Sequence, residues 1–428
     1  MPAPPAPPAH WGERRTGVNG GGRTDLPIWL ADIRAAAAAL APVIRETPTQ
    51  GSRLLTETVG GPVLLKCENL QRAGSFKIRG AYTRIARMPA EERARGVVAA
   101  SAGNHAQGVA LAARLLCVPA TVFMPAGASI AKENATRDYG AAVVTAGATL
   151  DESLVSARDF ADRTGAVLVH PFDHRDIVVG QGTVGLEILA QCPDVATVVV
   201  CTGGGGLLAG VAAAVKAVRP EVRVVGAQAA GAAAYPPSLV AGHPVALASM
   251  ATMADGIAVG RPGDVPFELV GDLVDDIVTV SEASLARAVL MLLERAKLVV
   301  EPAGAAAVAA LLDGVVAGLR APVVAVVSGG NVDPLLLLRI IRSGLVAAGR
   351  YLSLRVVVPD RPGGLARVLT ELAAADANVV EVVHQRVAGD LALDEVSIDV
   401  AAETRGPDHA ARVVDGLRRT GLRVTVLG

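Results

Sequence analysis

Apolar runs of strand length alternate with helix-like patterns from about residue 27 to residue 344. The runs that predict strands are Val63–Lys66, Gly96–Ala100, Ala120–Pro125, Ala141–Ala146, Ala166–His170, Val195–Cys201, Val222–Ala227, Ile277–Val280 and Val323–Val327. Helical patterns such as Ala106–Leu116 and Glu152–Arg163 lie between them, and Ser281 is predicted to cap a helix over Glu282–Lys297. This alternation predicts an α/β fold in which parallel sheet is covered by helices on both faces.

The pattern changes after Gly344. Later segments predict a strand, a helix, two strands, a helix and a last strand, at Tyr351–Pro359, Ala366–Ala375, Asn378–Val387, Leu391–Ala401, residues 407–419 and Leu422–Leu427. The order βαββαβ predicts a separate split βαβ module over residues 346–428, after an α/β domain over residues 29–345. The segment before them is rich in Pro, Gly and Arg, and we predict a disordered N-terminal tail over residues 1–28.

Charge and hydropathy exclude two classes of partner. The formal net charge is −1 over 428 residues, whereas a nucleic-acid-binding protein would present a basic face. The mean hydropathy of +0.44 raises the possibility of a membrane protein, and the uncharged run Val195–Val215 is long enough to span a bilayer. Four consecutive glycines divide that run, however, and would leave unpaired backbone groups inside a membrane. We therefore expect a soluble protein with neither nucleic-acid nor membrane partners.

The cysteines indicate a reducing compartment. Cys67, Cys117, Cys192 and Cys201 have neither Cys-x-x-Cys spacing nor the spacing of metal ligands. Reduced thiols are the default for such cysteines, and the N-terminus lacks the apolar core of a signal peptide. A cytoplasmic location is expected.

Lys77 stands in a mostly apolar turn, between the strand Val63–Lys66 and a predicted helix start. Burial beside Phe76 would disfavour its ammonium form, and a free amine can hold an aldehyde cofactor as a Schiff base. On this local context alone, a solvated surface lysine is an equally good interpretation.

Three loops follow predicted strands and open or precede helices. They are Ser101-Ala102-Gly103-Asn104-His105, Gly203-Gly204-Gly205-Gly206-Leu207 and Ser328-Gly329-Gly330-Asn331. Open α/β sheets bind ligands at this edge, and a glycine loop before a helix can offer backbone N–H groups to a phosphate. A dinucleotide-binding loop is the competing interpretation. It is disfavoured because Leu208 replaces the last glycine of Gly-x-Gly-x-x-Gly, and because the next strand ends at Gln228 rather than at an acid.

With the segment Ser75-Phe76-Lys77-Ile78-Arg79-Gly80, these three loops resemble the motifs of the β-family of pyridoxal-phosphate-dependent lyases, and within it the threonine ammonia-lyases. The resemblance implies a two-lobed fold of doubly wound sheets, with the pyridoxal 5′-phosphate cofactor in the cleft and a small lobe over about residues 69–170. It implies that Lys77 holds the cofactor and then takes the α-proton of the substrate.

The same resemblance assigns the other site residues. Cofactor contacts would come from Phe76, Asn104, Gly203, Gly204, Gly205, Gly206, Leu207 and Ser328, and the substrate carboxylate would be bound by Ser101, Gly103, Asn104 and His105. Ser328 would face the pyridine nitrogen. A neutral hydroxyl cannot keep that nitrogen protonated, which weakens the electron sink and favours β-elimination over transamination. For His105 we expect a structural role within the carboxylate loop.

The C-terminal module, with its Asp360–Leu365 turn, resembles an ACT domain, which implies control by a small effector. Gly363, Gly364, Leu365 and Asn378 are the predicted effector contacts, and isoleucine is the expected effector of a biosynthetic enzyme. A packing or oligomerisation module is the alternative. Because such modules commonly pair across subunits, a homo-oligomer, either a dimer or a tetramer, is expected.

The implied reaction is β-elimination of water from L-threonine or L-serine, which gives 2-oxobutanoate or pyruvate and ammonia. A catabolic dehydratase, a serine-racemase-like enzyme and a catalytically dead amino-acid sensor remain alternatives. Racemisation is disfavoured because related racemases place a second base, a serine, where this chain has Ala102. No metal is expected, because Pro171 interrupts the spacing of His170 and His174 and no third ligand is evident.

Overall fold

The computed structural model describes residues 25–386 and 391–427. Contacts between residues divide the chain into two compact units, with the boundary between Pro334 and Leu335. The predicted tail over residues 1–28 lies outside the described residues except at its end, where helix α1 (Leu26–Leu40) begins. Regular structure therefore starts slightly before the predicted boundary of the tail.

The larger sheet of the first unit has six strands. They are β1 (Thr49–Gly51), β2 (Val63–Cys67), β7 (Thr197–Cys201), β8 (Arg223–Ala229), β9 (Asp276–Val280) and β10 (Val323–Val327). Their order is β1-β2-β10-β7-β8-β9, and all neighbours are parallel except β1, which runs antiparallel to β2. Strand β1 was not predicted because it is short, polar and at the edge.

The smaller sheet lies within the predicted small lobe. Its strands are β3 (Val97–Ala100), β4 (Ala120–Met124), β5 (Ala142–Thr145) and β6 (Val167–Leu168), in the order β5-β4-β3-β6 and all parallel. Strand β6 is shorter than the predicted Ala166–His170.

Helices connect these strands. They are α2 (Arg53–Val59), α3 (Lys77–Ala86), α4 (Ala90–Arg95), α5 (Asn104–Leu115), α6 (Ile130–Asp138), α7 (Leu150–Thr164), α8 (Arg175–Gln191), α9 (Gly206–Val218), α10 (Tyr235–Ala241), α11 (Asp264–Leu273), α12 (Glu282–Met291) and α13 (Pro302–Leu312). Every residue of β7 and β10 is buried, since helices pack against both faces of the larger sheet. The predicted α/β class with doubly wound sheets is confirmed.

Helix α12 starts as predicted and ends early. The Ser281 side chain accepts a hydrogen bond from the Ser284 backbone N at 3.1 Å, which makes it the N-cap. The helix then loosens into a π-helical turn over Leu292–Ala296, and Lys297 has a left-handed φ of 59°. The helical run therefore ends at Ala296, one residue before the predicted Lys297, and its last turn is π-helical rather than α-helical.

The second unit begins within helix α14 (Pro334–Ala347) and continues as an antiparallel sheet with helices. The remaining elements are β11 (Tyr351–Pro359), α15 (Gly364–Ala374), β12 (Asn378–Gln385), β13 (Glu395–Glu403), α16 (Pro407–Arg419) and β14 (Arg423–Val426). The strand order is β12-β13-β11-β14, so the predicted βαββαβ order is confirmed, although β13 begins later than Leu391. Alternate residues of β11 are buried in the core of this unit, at Leu352, Leu354, Val356 and Val358.

None of the helices in the described ranges combines the length and the apolar character that a membrane span requires.

Candidate active site

The segment that leads into Lys77 (Ser75–Lys77, the lysine loop) and the segment after β10 (Ser328–Asn331, the Ser328 loop) are joined by backbone hydrogen bonds. Ser75 forms a β-bridge with Gly329, and the Phe76 N–H donates to the Ser328 carbonyl at 3.2 Å. Strands β2, β10 and β7 are neighbours in the sheet, so the loops that follow them meet at one edge. The structure therefore brings Phe76, Lys77, Ser328 and the glycine loop to the same end of the larger sheet.

Lys77 is the first residue of α3, and its amine lies in a low-polarity environment. The Lys77 Nζ donates to the Pro171 carbonyl at 3.0 Å and lies 5.2 Å from the ring centroid of Phe76, which is buried. Burial, which disfavours the charged ammonium, lowers the pKa of Lys77 to about 8. About a tenth of the amine is therefore uncharged at pH 7, far more than for an ordinary lysine, and the uncharged form is the nucleophile.

Asn104 is the first residue of α5 and is bound on both sides of its amide. Its Nδ2 donates to Glu301 Oε1 at 2.5 Å, and its Oδ1 accepts from Asn331 Nδ2 at 2.8 Å. Sequence reasoning assigned no role to Glu301 or Asn331. The available signals were a lone acid before Pro302 in an otherwise apolar stretch, and an amide in the Ser328 loop.

The other predicted carboxylate-binding residues surround the N-terminus of α5. Ser101 Oγ accepts from the Gly103 backbone N at 3.2 Å, which closes the turn before the helix. The His105 ring is buried, and its Nε2 lies 2.7 Å from the Val169 carbonyl oxygen. Burial lowers the pKa of His105 to about 3, so the ring stays neutral and acts as a structural donor. An anion at this turn would therefore meet backbone N–H groups rather than a charged imidazole.

The glycine loop is packed too closely for side chains. A Cβ on Gly204 would overlap the Phe172 ring, and a Cβ on Gly205, whose φ is 98°, would overlap the Tyr235 hydroxyl. Among the described residues, the N–H groups of Gly203, Gly204 and Gly205 donate no hydrogen bond.

Helix α9 starts at Gly206 with its positive dipole end at this loop, and Leu207 is buried in its first turn. Free donors at a helix N-terminus form a cradle that fits a phosphate group.

Ser328 is buried at the end of β10 beside a protonated thiol. Burial raises the pKa of Cys201 to about 11, and the Cys201 Sγ–H donates to Ser328 Oγ at 3.1 Å. Because Ser328 accepts this bond, its own hydroxyl hydrogen remains available for an acceptor in the site.

A charge-balanced cluster of side chains, buried except for the half-buried Glu187, holds α3 in place. It consists of Lys66, Glu68, Arg79 and Glu187, and we refer to it as the ion cluster. The Arg79 guanidinium is fully buried and uses every N–H, donating to Glu68 at 2.7 and 2.8 Å, to Glu187 at 2.6 and 3.0 Å and to Thr183 at 3.0 Å. Burial favours the protonated form of Glu68, but the Arg79 charge outweighs this effect and the pKa of Glu68 lies below its usual value.

The ion cluster joins three elements. Lys66 lies on β2 and donates to Glu187 at 2.6 Å and to the Thr47 carbonyl at 2.7 Å, while Arg79 lies on α3 and Glu187 on α8. Helices α3 and α8 approach so closely that a Cβ on Gly180 would lie 2.6 Å from the Gly80 Cα. Lys77 is thus carried by a helix that is fixed both by charge and by backbone contact.

The second unit contains a cavity of about 620 Å³ at the predicted effector turn. It is lined by residues of the turn after β11 and of the facing strands, including Gly363, Gly364, Leu365, Asp360 and Arg386. Asn378 does not line it. It stands at the opposite end of β12, where it pairs with Glu403 and donates to the Glu403 carboxylate at 2.9 Å.

Within the described ranges, no three His, Cys, Asp or Glu side chains are grouped as metal ligands would be. His170 Nδ1 instead accepts from the Asp173 backbone N at 2.8 Å. Gln228, at the end of β8, accepts from the Tyr235 backbone N at 3.1 Å.

Both units of the chain match known families. The family described as pyridoxal-phosphate dependent enzymes matches residues 40–329, and the ACT domain family matches residues 352–418. The chain is 46% identical to an L-threonine ammonia-lyase of Geobacter sulfurreducens over 402 residues, which is 94% of this chain and 100% of the relative.

Two solved structures are similar to the chain in fold. A processed threonine deaminase isoform 2 from Solanum lycopersicum has a TM-score of 0.72 at 36% identity, covering 76% of this chain and 94% of that one. Maize serine racemase has a TM-score of 0.70 at 38% identity, covering 74% of this chain and 98% of that one.

Glu68→Gln should destabilise the protein by about 3 kcal/mol, because it leaves part of the buried Arg79 charge uncompensated. Urea unfolding followed by circular dichroism measures this difference. Glu57→Gln is the control, since its pairing with Arg53 at 3.9 Å is solvent-exposed and should contribute almost nothing. Equal effects of the two substitutions would contradict the role given to the ion cluster.

Gly205→Ala should lower the free energy of unfolding by more than about 1 kcal/mol, because alanine disfavours the left-handed φ and would overlap Tyr235. Gly271→Ala should instead stabilise the protein by about 0.5–1 kcal/mol, since that helical position has open space around it. The same unfolding measurement compares both variants. A neutral Gly205→Ala would show that the tight packing of the loop is not required.

Proposed function

The chain belongs to the family of pyridoxal-phosphate-dependent enzymes, in the group of the L-threonine ammonia-lyases, and we propose that it eliminates water from L-threonine to give 2-oxobutanoate and ammonia. L-Serine would give pyruvate by the same reaction. The observation that carries the proposal is the Lys77 amine, which has a lowered pKa and lies at the sheet edge where the glycine loop and Ser328 meet.

When bound, pyridoxal phosphate supplies the electron sink that acidifies the α-hydrogen of an amino acid. Lys77 would hold its aldehyde carbon, and the free N–H groups of Gly203–Gly206 would hold its phosphate. The Ser328 hydroxyl hydrogen, left available by the bond from Cys201, would be donated to the ring nitrogen. Asn104 would use the N–H that is not given to Glu301 for the ring oxygen.

The substrate carboxylate would be bound at the N-terminus of α5. Ser101, Gly103, Asn104 and His105 form this turn, and His105 contributes its backbone N–H because its ring is bound to Val169. Once released, the Lys77 amine is the base that takes the proton from the α-carbon. Its lowered pKa supports this role, because an ordinary lysine would remain charged at neutral pH.

A lyase is favoured over a racemase in spite of the similarity to maize serine racemase. Racemisation requires proton transfer on both faces of the α-carbon, and Lys77 can serve only one face. A second base would have to come from the Ser101–His105 turn, where Ala102 has only a methyl group and no exchangeable proton.

We assign the ACT domain the binding of an amino-acid effector, with isoleucine as the expected ligand and isoleucine biosynthesis as the role. The cavity combines charged side chains such as Arg386 and Asp360, 3.4 Å apart, with apolar ones such as Leu365 and Leu369. This combination suits an amino acid with an apolar side chain. Asn378 could contact an effector only in the cavity of a partner subunit, which fits a homo-oligomer, either a dimer or a tetramer.

A cytoplasmic location belongs to the same proposal. Cys67, Cys117, Cys192 and Cys201 are all unpaired thiols, which is the usual state in a reducing compartment.

The direct test is the release of 2-oxo acid from L-threonine and L-serine by the purified protein with pyridoxal phosphate. Release is expected from both and should be abolished in Lys77→Ala, and D-serine should not form from L-serine. Binding of the cofactor without any 2-oxo acid would overturn the lyase and favour the amino-acid sensor.

Isoleucine is expected to suppress this release, since the ACT cavity would favour one arrangement of the subunits when filled. Arg386→Ala should remove the suppression, whereas Arg405→Ala, an exposed arginine of the same unit outside the cavity, should retain it. If isoleucine does not change the rate of 2-oxo acid release, the lyase activity stands, but a catabolic role with another effector replaces the biosynthetic one.

The lowered pKa of Lys77 predicts a pH profile for cofactor capture. Only the neutral amine attacks an aldehyde, so the capture rate should rise about tenfold per pH unit and level off above about pH 8. Stopped-flow absorbance after mixing cofactor-free protein with pyridoxal phosphate measures this rate, and Lys77→Arg should show no capture. A rate that keeps rising to pH 10.5, the ordinary lysine value, would contradict the assignment.

A further inference from the structure

Glu301 is a buried acid that the proposed reaction leaves without a role. It occupies the N-cap position of α13, yet its side chain makes no hydrogen bond to the start of that helix. Its backbone N–H donates to the Gly329 carbonyl at 3.1 Å, and its carboxyl accepts from Asn104 instead. A Cβ on Gly329 would overlap this carboxyl and would lie 3.1 Å from Asn104 Nδ2, so three segments of the site meet at this point.

The two partners of Asn104 fix which way its amide points. An amide can rotate by half a turn and exchange its oxygen for its nitrogen, unless its neighbours distinguish a donor from an acceptor. Asn331 offers only N–H groups from its Nδ2, at 2.8 Å from Asn104 Oδ1. Glu301 Oε1 faces the other side and accepts from Nδ2. The flipped amide would place nitrogen against nitrogen at Asn331, which is unfavourable in either protonation state of Glu301, and oxygen against oxygen at the ionised Glu301 carboxylate.

Asn331 is itself held in place. Its Nδ2 donates to the Ala73 carbonyl at 2.6 Å and lies 3.2 Å from Gln107 Oε1, so it cannot turn its amide oxygen toward Asn104 without losing these acceptors. The chain Asn331–Asn104–Glu301 therefore has a single consistent direction of hydrogen bonding. It leaves one N–H of Asn104 uncommitted.

We propose that Glu301 is a positioning residue, whose carboxyl oxygen holds the Asn104 amide so that its remaining N–H is presented to the ring oxygen of the cofactor. This inference rests on the proposed function, because it takes Asn104 as the partner of that oxygen. Glu301 acts through Asn104, and the relevant property is its ability to accept a hydrogen bond.

Substitutions at Glu301 separate this role from a general packing role. Glu301→Ala removes the acceptor and should raise the dissociation constant of pyridoxal phosphate about tenfold, with a shifted visible absorbance maximum of the lysine-bound cofactor. Glu301→Gln keeps an acceptor oxygen and should stay within about threefold of the wild-type constant. Asp255→Asn is the control, since this acid pairs with Lys132 at 3.5 Å and has no bond to Asn104.

A double-mutant cycle tests whether Glu301 acts through Asn104. In an Asn104→Ala background, Glu301→Ala should change the dissociation constant by less than about twofold, because the group that it positions is absent. A full tenfold further loss in that background, or an unchanged constant in Glu301→Ala alone, would overturn the inference. Equal losses in Glu301→Ala and Glu301→Gln would also overturn it, because the charge rather than the acceptor would then matter.

Two further measurements keep the outcomes distinct. If Glu301→Ala does not fold, as judged by circular dichroism, Glu301→Met replaces it in the cycle, since methionine fills a similar volume without an acceptor oxygen. If the wild-type protein forms no Lys77-dependent absorbance with pyridoxal phosphate, the proposed function fails. Normal wild-type absorbance with unaffected Glu301 variants would defeat the positioning role alone.

Discussion

The buried guanidinium of Arg79 is the interaction on which the geometry of the site depends. Its full set of hydrogen bonds reaches Glu68 after β2, and Thr183 and Glu187 on α8, so α3 cannot shift without exposing a charge to an apolar interior. Lys77 stands two residues before Arg79 on the same helix, so the contacts that hold Arg79 also fix the position of Lys77. This support keeps the Lys77 amine in the position where loss of hydration lowers its pKa.

A second set of hydrogen bonds joins the loops of the site. Backbone bonds tie the lysine loop to the Ser328 loop, and Asn331 and Glu301 tie both to the start of α5. The Ser328 hydroxyl accepts a hydrogen bond from Cys201, which leaves its own hydrogen free to be donated. The Asn104 amide donates one N–H to Glu301 and has a second N–H left. The donors that would meet the cofactor are therefore set by the protein before the cofactor arrives, which reduces the cost of reorganisation on binding.

Local patterns in the sequence predicted the parallel strands and the loops at their ends, because burial on both faces demands continuous apolar runs; the polar edge strand β1 was missed. The βαββαβ order was predicted because strands such as β11 alternate buried and more exposed residues. The partners of Arg79 were not predictable, since Glu187 is 108 positions away and a lone acid in a helix pattern gives no signal. Glu301 was missed because an acid before Pro302 is typical of an ordinary helix start. Asn378 was predicted to contact the effector together with Gly363, on the resemblance alone. In the structure Asn378 pairs with Glu403, at the end of β12 away from the cavity that Gly363 lines.

The most direct test of the central claim is to identify the lysine that binds the cofactor. The protein loaded with pyridoxal phosphate would be reduced with borohydride, digested and mapped by mass spectrometry. The account predicts a single modified peptide that carries the cofactor on Lys77. Lys66, on the neighbouring strand β2, should stay unmodified because its amine is buried and already donates to Glu187, Gln191 and the Thr47 carbonyl. Stoichiometric modification of another lysine with Lys77 unmodified would contradict it.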